Sequence, residues 1–243
     1  MLHSNLFPSF RRRFRKLIAT TYRRKFPKKL SHRNINLSSK IDFSLKEISI
    51  KLNLSFSSLC HVGAHKGQEV ESYLEIGVKE AVLIEPIAAN FEILKERIRD
   101  IVKFSAVQVA AGEMQSISRI RLASNDYQSS SLLEPLLHLE EAPTVQFDET
   151  ELVSVERLDD ILSVEFKPEI LIVDVQGFEL NVLRGAKRVL STTQYLLLEV
   201  NRDEVYLNCA KVWELDEYLL DFGFSRVITR WWDSWGDALY LRR

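Results

Sequence analysis

The sequence predicts an α/β fold on a mostly parallel sheet with an antiparallel C-terminal edge, and three observations carry this. Ala81 to Glu85, Glu169 to Val175 and Tyr195 to Val200 are apolar nearly throughout, as strands covered on both faces are. Segments of helical period separate them, so each strand returns to the sheet through a crossover. Phe224 to Thr229 and Ala238 to Leu241 close the chain as two strands with a short connection, which suits an antiparallel edge.

The elements follow in chain order. Ile41 to Leu54 mixes apolar residues with Ser and Lys at near-helical spacing, an N-terminal helix or linker over residues 41–56. Ser57 to Val62 is an apolar run ending at Gly63, a strand and its turn. Gly67 to Ile76 places Val70, Tyr73, Leu74 and Ile76 on one side and is a helix stopped by Gly77. Pro86 breaks the strand at Ala81 to Glu85, and Ala88 to Arg99 is the next helix. Val102 to Ala110 and Ile117 to Ala123 alternate and read as strands. Ser124 to Phe147 is polar and Ser-rich, a long loop or lid. Structure resumes with a strand at Glu151 to Glu156 and a short helix at Leu158 to Val164. Phe178 to Leu190 presents Leu180, Leu183, Ala186, Val189 and Leu190 on one helical face, and Val212 to Phe222 is a helix stopped by Gly223.

A length of 243 residues allows one full domain plus an appendage, and the charge pattern says where the appendage lies. Residues 1–41 hold twelve of the 33 Lys and Arg and none of the 34 Asp and Glu; the rest carries 21 against 34, a net charge of -13. In the basic arm over 1–40, Phe7, Phe10, Phe14, Leu17, Ile18 and Tyr22 recur at helical spacing among Arg and Lys. That pattern suits an interfacial helix on an anionic membrane surface. A transit segment, a nucleic-acid arm and a solvated tail are the other readings of the same residues. The acidic body repels phosphate, which argues against nucleic acid as a partner. No apolar run reaches the roughly 20 residues of a membrane span. The expectation is a cytoplasmic protein, peripheral at the membrane through its arm.

Unusual residues cluster at strand ends, where an open α/β sheet binds ligands. The first strand ends in Cys60-His61-Val62-Gly63-Ala64-His65-Lys66-Gly67-Gln68. Its glycines let a turn approach a ligand, and the following helix offers free N–H groups. This is not the dinucleotide fingerprint, because His65 stands where a glycine is required, and no Walker pattern follows. Glu85 ends the second strand, 22 residues after Gly63, and suits the two hydroxyls of a ribose. A nucleoside without a pyrophosphate fits the pair, and S-adenosylmethionine is such a ligand. Cys60 and His61 are adjacent on a strand and point to opposite faces, so no metal site is expected with His65.

These blocks resemble the FkbM family of S-adenosylmethionine-dependent methyltransferases. The match continues through Ile84-Glu85-Pro86 with Asn90-Phe91, Ala111-Gly112-Glu113, Ser129-Ser130-Ser131-Leu132 and Val155 to Asp160. Its most specific part is Asp174-Val175-Gln176-Gly177-Phe178-Glu179-Leu180, continuing to Val182-Leu183-Arg184-Gly185-Ala186. The resemblance covers about residue 57 to the C-terminus. It implies a Rossmann-like class I methyltransferase fold with a seven-stranded sheet over 57–243, and O-methylation of sugars or secondary metabolites. Two departures stand out: the family often has Asp at the position of His61 and Asn at that of His65.

Against that background, Gly63, Ala64 and Gly67 are expected to wrap the methionine part of the cofactor, with Glu85 on the ribose. Gln68 is a candidate cap or cofactor contact, and Glu113 a candidate adenine contact. Asp174 ends an apolar strand, so its carboxylate is expensive to bury without purpose. It is the candidate base or cation holder, with His65 as the second candidate base. Glu179, Glu199 and Asn201 are candidates for the acceptor pocket, as are Ser130 and Ser131 of the Ser-rich loop. Trp231, Trp232 and Trp235 either stack on an acceptor or cover a core edge. The reading is methyl transfer to a hydroxyl of a small molecule, a sugar, glycolipid or secondary metabolite. The alternatives are a non-catalytic Rossmann-like module tethered by its arm, and an enzyme acting on RNA.

Overall fold

The computed structural model describes residues 43–243. The basic arm over 1–40, and with it the expected contact with anionic surfaces, lies outside the described residues. Among the described residues no helix is long and apolar enough to cross a membrane.

The chain enters through α1 (Leu45–Leu52), capped by Ser44, whose hydroxyl accepts the Glu47 N–H at 3.3 Å. Then come β1 (Ser58–Val62), α2 (Val70–Glu75), β2 (Glu80–Ile84), α3 (Ala88–Ile98) and β3 (Phe104–Val107). A second group holds β4 (Ala110–Ala111), β5 (Ser116–Leu122), α4 (His138–Glu141), β6 (Glu149–Glu156) and α5 (Leu158–Ile161). The chain ends with β7 (Ile170–Val173), α6 (Glu179–Arg184), α7 (Lys187–Thr192), β8 (Tyr195–Asn201), α8 (Val212–Leu220), β9 (Phe224–Trp232) and β10 (Trp235–Arg242).

Seven strands form the main sheet in the order β3-β2-β1-β7-β8-β10-β9. The first five are parallel, and β10 runs antiparallel to both β8 and β9. The expected α/β class and antiparallel edge are both present. Strand order reverses between β1 and β7, so the loops after them diverge and leave a crevice at the carboxyl edge. Each face of the sheet has its own core. Val62, Leu171, Val173 and Leu198 pack with Val182, Leu183, Leu190, Leu215 and Leu219 of α6, α7 and α8. Leu59, Leu83, Ile170 and Ile172 pack with Val70, Tyr73, Leu94 and Ile98 of α2 and α3. This two-sided burial is why the central strands read as apolar runs.

Three expectations are corrected. The strand expected over Val102 to Ala110 stops at Val107, because the chain there leaves the edge of the main sheet. Ala110 and Ala111 then pair with Val155 and Glu156 in a separate sheet of order β4-β6-β5. The helix expected over Phe178 to Leu190 breaks in two at Gly185. A Cβ at Gly185 would stand 2.0 Å from the Gly112 carbonyl oxygen, so the chain must pass there with no side chain. Asp159 then caps α7, accepting the N–H groups of Arg188 (2.9 Å) and Val189 (3.0 Å). Finally, β9 and β10 extend further than expected, to Trp232 and from Trp235, because Asp233-Ser234 makes a two-residue turn with Asp233 at φ +46°.

Candidate functional site

The crevice holds a cavity of about 630 Å³, lined by residues that follow β1, β2, β7 and β8 and by the 124–147 connection. One half is built on β1 and β2. The turn after β1 is pinned to β2, with Gly63 and Ala64 donating to the Ile84 carbonyl at 2.9 and 3.0 Å. Gly63 has φ +85°, and a Cβ there would lie 1.8 Å from the Asp174 carbonyl oxygen. The turn therefore packs directly on the end of β7. Ala64 and Gly67 shape this turn; neither lines the cavity.

Glu85 follows β2, buried at 4 % exposure but lining the cavity. One oxygen accepts the His65 N–H and the other the Ile87 N–H, each at 2.9 Å. Each oxygen keeps a second acceptor site, enough for two hydroxyls of one ligand. Burial raises the carboxyl pKa, and the Ile87 N–H and the charge on His65 oppose the rise. Asn90 is fully buried in the same wall. Its carboxamide lies close enough to lower the Glu85 pKa, yet neither polar atom completes a hydrogen bond. A buried amide in that state wants a ligand.

His61, which takes the family's frequent Asp position, is 6 % exposed and lines the cavity. Tyr73 Oη lies 2.9 Å from its Nδ1. Burial pushes the Tyr73 pKa well up and the His61 pKa down. Tyr73 and His61 thus share one buried hydrogen bond in the wall of the cavity. His65 is held at φ +48° with both ring nitrogens engaged, Nε2 to the Asp126 carbonyl at 2.7 Å and Nδ1 to Gln68 Nε2 at 2.6 Å. It locks the 124–131 loop over the turn, helped by the Lys66–Asp126 ion pair at 2.5 Å. Gln68 props His65 and is not the helix cap, which is Glu69.

The other half is built on β7, β8 and β10, and register explains its chemistry. Val173 pairs with Leu198, so Asp174 follows on β7 level with Glu199 on β8. Glu199 pairs with Asp237, and Asp237 with Arg230. A row of three carboxylates thus crosses the sheet and ends on a guanidinium. Asp174 is exposed to the cavity, which corrects the expectation of burial. Gln176 joins the row: its Nε2 donates to Asp174 Oδ1 at 2.8 Å and to Glu199 Oε2. Tyr206 Oη donates toward Gln176 Oε1 at 3.1 Å, and Ser131 Oγ donates to the Gln176 carbonyl at 2.7 Å. Burial, then the charges of Asp174 and Glu179, raise the Glu199 pKa well above the carboxylate range. Burial, then Asp174, brings Asp237 up to about 7, opposed by Arg230.

Glu179 is fully buried and does not line the cavity. Its Oε1 accepts the N–H groups of Val175 (3.3 Å) and Gly177 (2.9 Å), holding the turn after β7, while Oε2 has no partner. Burial raises its pKa to about 7. Between the unfolded value of 4.5 and about 7 the folded chain binds a proton that the unfolded chain releases. Stability from this group is therefore full below 4.5 and is lost as pH rises through about 7. Glu179→Gln keeps an acceptor for both N–H groups. It is expected to raise stability at about pH 8 by on the order of 1–3 kcal/mol, read as a higher melting temperature, and to change little at about pH 5. Equal effects at both pH values would remove charge as the cause.

Other candidates fall elsewhere. Glu113 lies outside the cavity, exposed, with Arg184 at 3.4 Å. Asn201 is buried but does not line the cavity. Ser130 and Ser131 line it, but their hydroxyls fold the loop: Ser130 Oγ accepts from Ala123 N at 3.0 Å, and Ser131 Oγ accepts from Leu133 N at 3.0 Å. The Ser-rich stretch is thus a buried clasp and not a free tip. Among the described residues no group of three His, Cys, Asp or Glu is placed to hold a metal ion. Gln176 and Asp237 were missed. Gln176 lay inside the most specific block, and with φ +54° it forms the turn after β7 together with Gly177.

The first half suits a nucleoside: a buried carboxylate with two spare acceptor sites, an unpartnered amide, and a turn whose closeness to β7 only glycine permits. A cavity of this build, at this edge of such a sheet, is that of a class I S-adenosylmethionine-dependent methyltransferase. The model of the Methyltransferase FkbM domain matches residues 61–226. The chain belongs to this family, and S-adenosylmethionine is its cofactor. It is 25 % identical over 154 residues to the 2-O-methyltransferase NoeI of Sinorhizobium fredii, covering 60 % of this chain and 63 % of the relative, under two thirds of its length. The fold is similar to that of methyltransferase FkbM from Methylobacillus flagellatus KT, with TM-score 0.52, 20 % identity and coverage of 76 % of this chain and 43 % of that one. Magnesium protoporphyrin IX methyltransferase from Synechocystis PCC 6803, with bound SAM, aligns over 100 % of both chains at 11 % identity and TM-score 0.46.

Glu85→Ala is expected to weaken S-adenosylmethionine binding by roughly 1.5–3 kcal/mol, the scale of charge-assisted hydrogen bonds. Calorimetry reads the affinity and circular dichroism the fold. Unchanged affinity would take Glu85 off the ribose.

Proposed function

We propose that the chain O-methylates a hydroxyl of a sugar, glycolipid or other polyhydroxylated small molecule. The observation that carries this is Asp174, open to the cavity and held by Gln176 beside the cofactor half. The 2-O-methyltransferase relative supports the same reading.

When bound, the cofactor supplies an electrophilic methyl group on a sulfonium, so no separate electrophile is needed. The chain's work is alignment, exclusion of water and handling of one proton. Glu85 and Asn90 hold the ribose, while the Gly63 turn and the buried His61 line the methionine end. Asp174 accepts the hydrogen bond of the acceptor hydroxyl, which turns an oxygen lone pair toward the methyl, and takes the proton as the new bond forms. Gln176 fixes the Asp174 carboxylate and ties it to Glu199. Phe178 and Val175 close the floor, and the 124–131 loop, locked by His65, closes the wall.

The test is incubation with methyl-labelled S-adenosylmethionine and a panel of neutral mono- and oligosaccharides, followed by NMR of the products. The expected product is a methyl ether at one sugar hydroxyl. Label found only on carboxylates or amines, or on no sugar at all, would overturn the reading.

A further inference from the structure

The turn between β9 and β10 carries aromatic residues at the rim of the cavity. Trp232 and Trp235 pair across the hairpin and stack, with ring centroids 4.9 Å apart and planes at 26°. Trp235 is 37 % exposed and lines the cavity, as does Asp233. The Arg230 guanidinium packs on the Trp232 ring at 4.6 Å. The indole pair is therefore braced and presents one flat, half-open surface.

Register ties this surface to the acid row. Trp235 pairs with Asn201 and Trp232, one same-face step beyond the row of Glu199, Asp237 and Arg230. Between Cα positions, Trp235 lies two strands and two residues from Asp174, and side chains on one sheet face stand roughly parallel. At strand spacings of about 4.8 Å and a rise of about 3.4 Å, that is about 12 Å. One pyranose ring does not span that distance, so a ring on Trp235 is a different unit from the one that meets Asp174.

The flanking charges select the ligand. The carboxylates of Asp174 and Asp233, which line the cavity, disfavour an anion, and the Arg230 guanidinium on the Trp232 indole disfavours a cation. Parallel indoles also offer one face only, not the enclosing walls of an ammonium cage. A neutral sugar matches: its C–H face stacks on indole while its hydroxyls donate to carboxylates.

We propose that Trp235, backed by Trp232, is a carbohydrate-stacking subsite, so that the acceptor is a neutral glycan of at least two units. One unit meets Asp174 and the next lies on Trp235. This rests on the sugar reading of the function given above.

The probes are methyl glycosides of neutral monosaccharides and the 1,4-linked di- and trisaccharides of the same sugars. They are assayed as methyl acceptors and by saturation-transfer NMR on the full chain loaded with S-adenosylhomocysteine. The longer glycans are expected to have KM values about 5-fold or more below the monosaccharide, with saturation transfer to the unit not methylated. Trp235→Ala should erase that ratio, and Trp235→Phe should keep most of it. S-adenosylhomocysteine affinity within about twofold of the parent shows that each variant is folded. If sugars accept methyl irrespective of length, or Trp235→Ala keeps the ratio, the subsite is wrong and the sugar reading stands. If no sugar of any length accepts methyl while other hydroxyl compounds do, the sugar reading fails and takes the subsite with it.

Discussion

Asp174→Asn is expected to lower turnover by about 10² or more while leaving S-adenosylmethionine affinity within about twofold. The carboxylate sits at the end of β7, open to the cavity. Its cofactor-side neighbours, Glu85 and the Gly63 turn, are held by hydrogen bonds that do not involve the Asp174 side chain. The asparagine carbonyl can still accept from Gln176 Nε2, which in the parent lies 2.8 Å from Oδ1, so the local packing survives. On the proposed mechanism, what is lost is the group that takes the acceptor's proton. The expected signature is a fall in kcat with a modest change in acceptor KM. A chelator added to the parent separates the roles: loss of activity would assign Asp174 to a cation, and unchanged activity to the base. Full turnover in the variant would remove Asp174 from the mechanism.

Gly63→Ala is expected to cost roughly 3 kcal/mol or more in stability and to abolish cofactor binding at ordinary concentrations. The added carbon would stand 1.8 Å from the Asp174 carbonyl oxygen, and φ there is +85°. Relief requires the turn after β1 to move away from β7, which displaces the cofactor turn and Asp174 together. Gly77→Ala is the control. Gly77 has φ +89° but nothing within 4 Å of its would-be Cβ, so it carries the backbone strain without the clash. Denaturant unfolding and calorimetry on both variants should show about 1 kcal/mol at Gly77 and a much larger loss at Gly63. Comparable losses at the two sites would mean that the contact with β7 is not what requires a glycine.

Much of the site was legible in the sequence for local reasons. Glu85 and Asp174 each end an apolar run, and a strand's end is visible from its own residues. The order of glycine turn, acidic strand end and second acidic strand end is a one-dimensional pattern. Glu113 misled because its turn looked equivalent, whereas the chain there has already passed into the β4-β6-β5 sheet. The Ser-rich stretch misled because polar composition reads as exposure. In the structure Ser129, Ser130 and Ser131 are buried, with hydroxyls bonded to Asn125, Ala123, Gln176 and Leu133.

The sequence by itself determined the alternation of strands and helices, the two-sided burial of the central strands and the residues that end β1, β2, β7 and β8. These depend on periodicity within about ten residues, where hydrophobic burial leaves its mark directly. Only the tertiary structure decided that Asp174, Glu199, Asp237 and Arg230 form one row, since the register of β7, β8, β10 and β9 brings them together from across the chain. It alone placed Gln176 between two carboxylates, and set the indole of Trp235 at the rim of the cavity. Pairing between distant strands is chosen by the packing of the whole sheet, and a shift of one residue would turn each of these side chains to the other face.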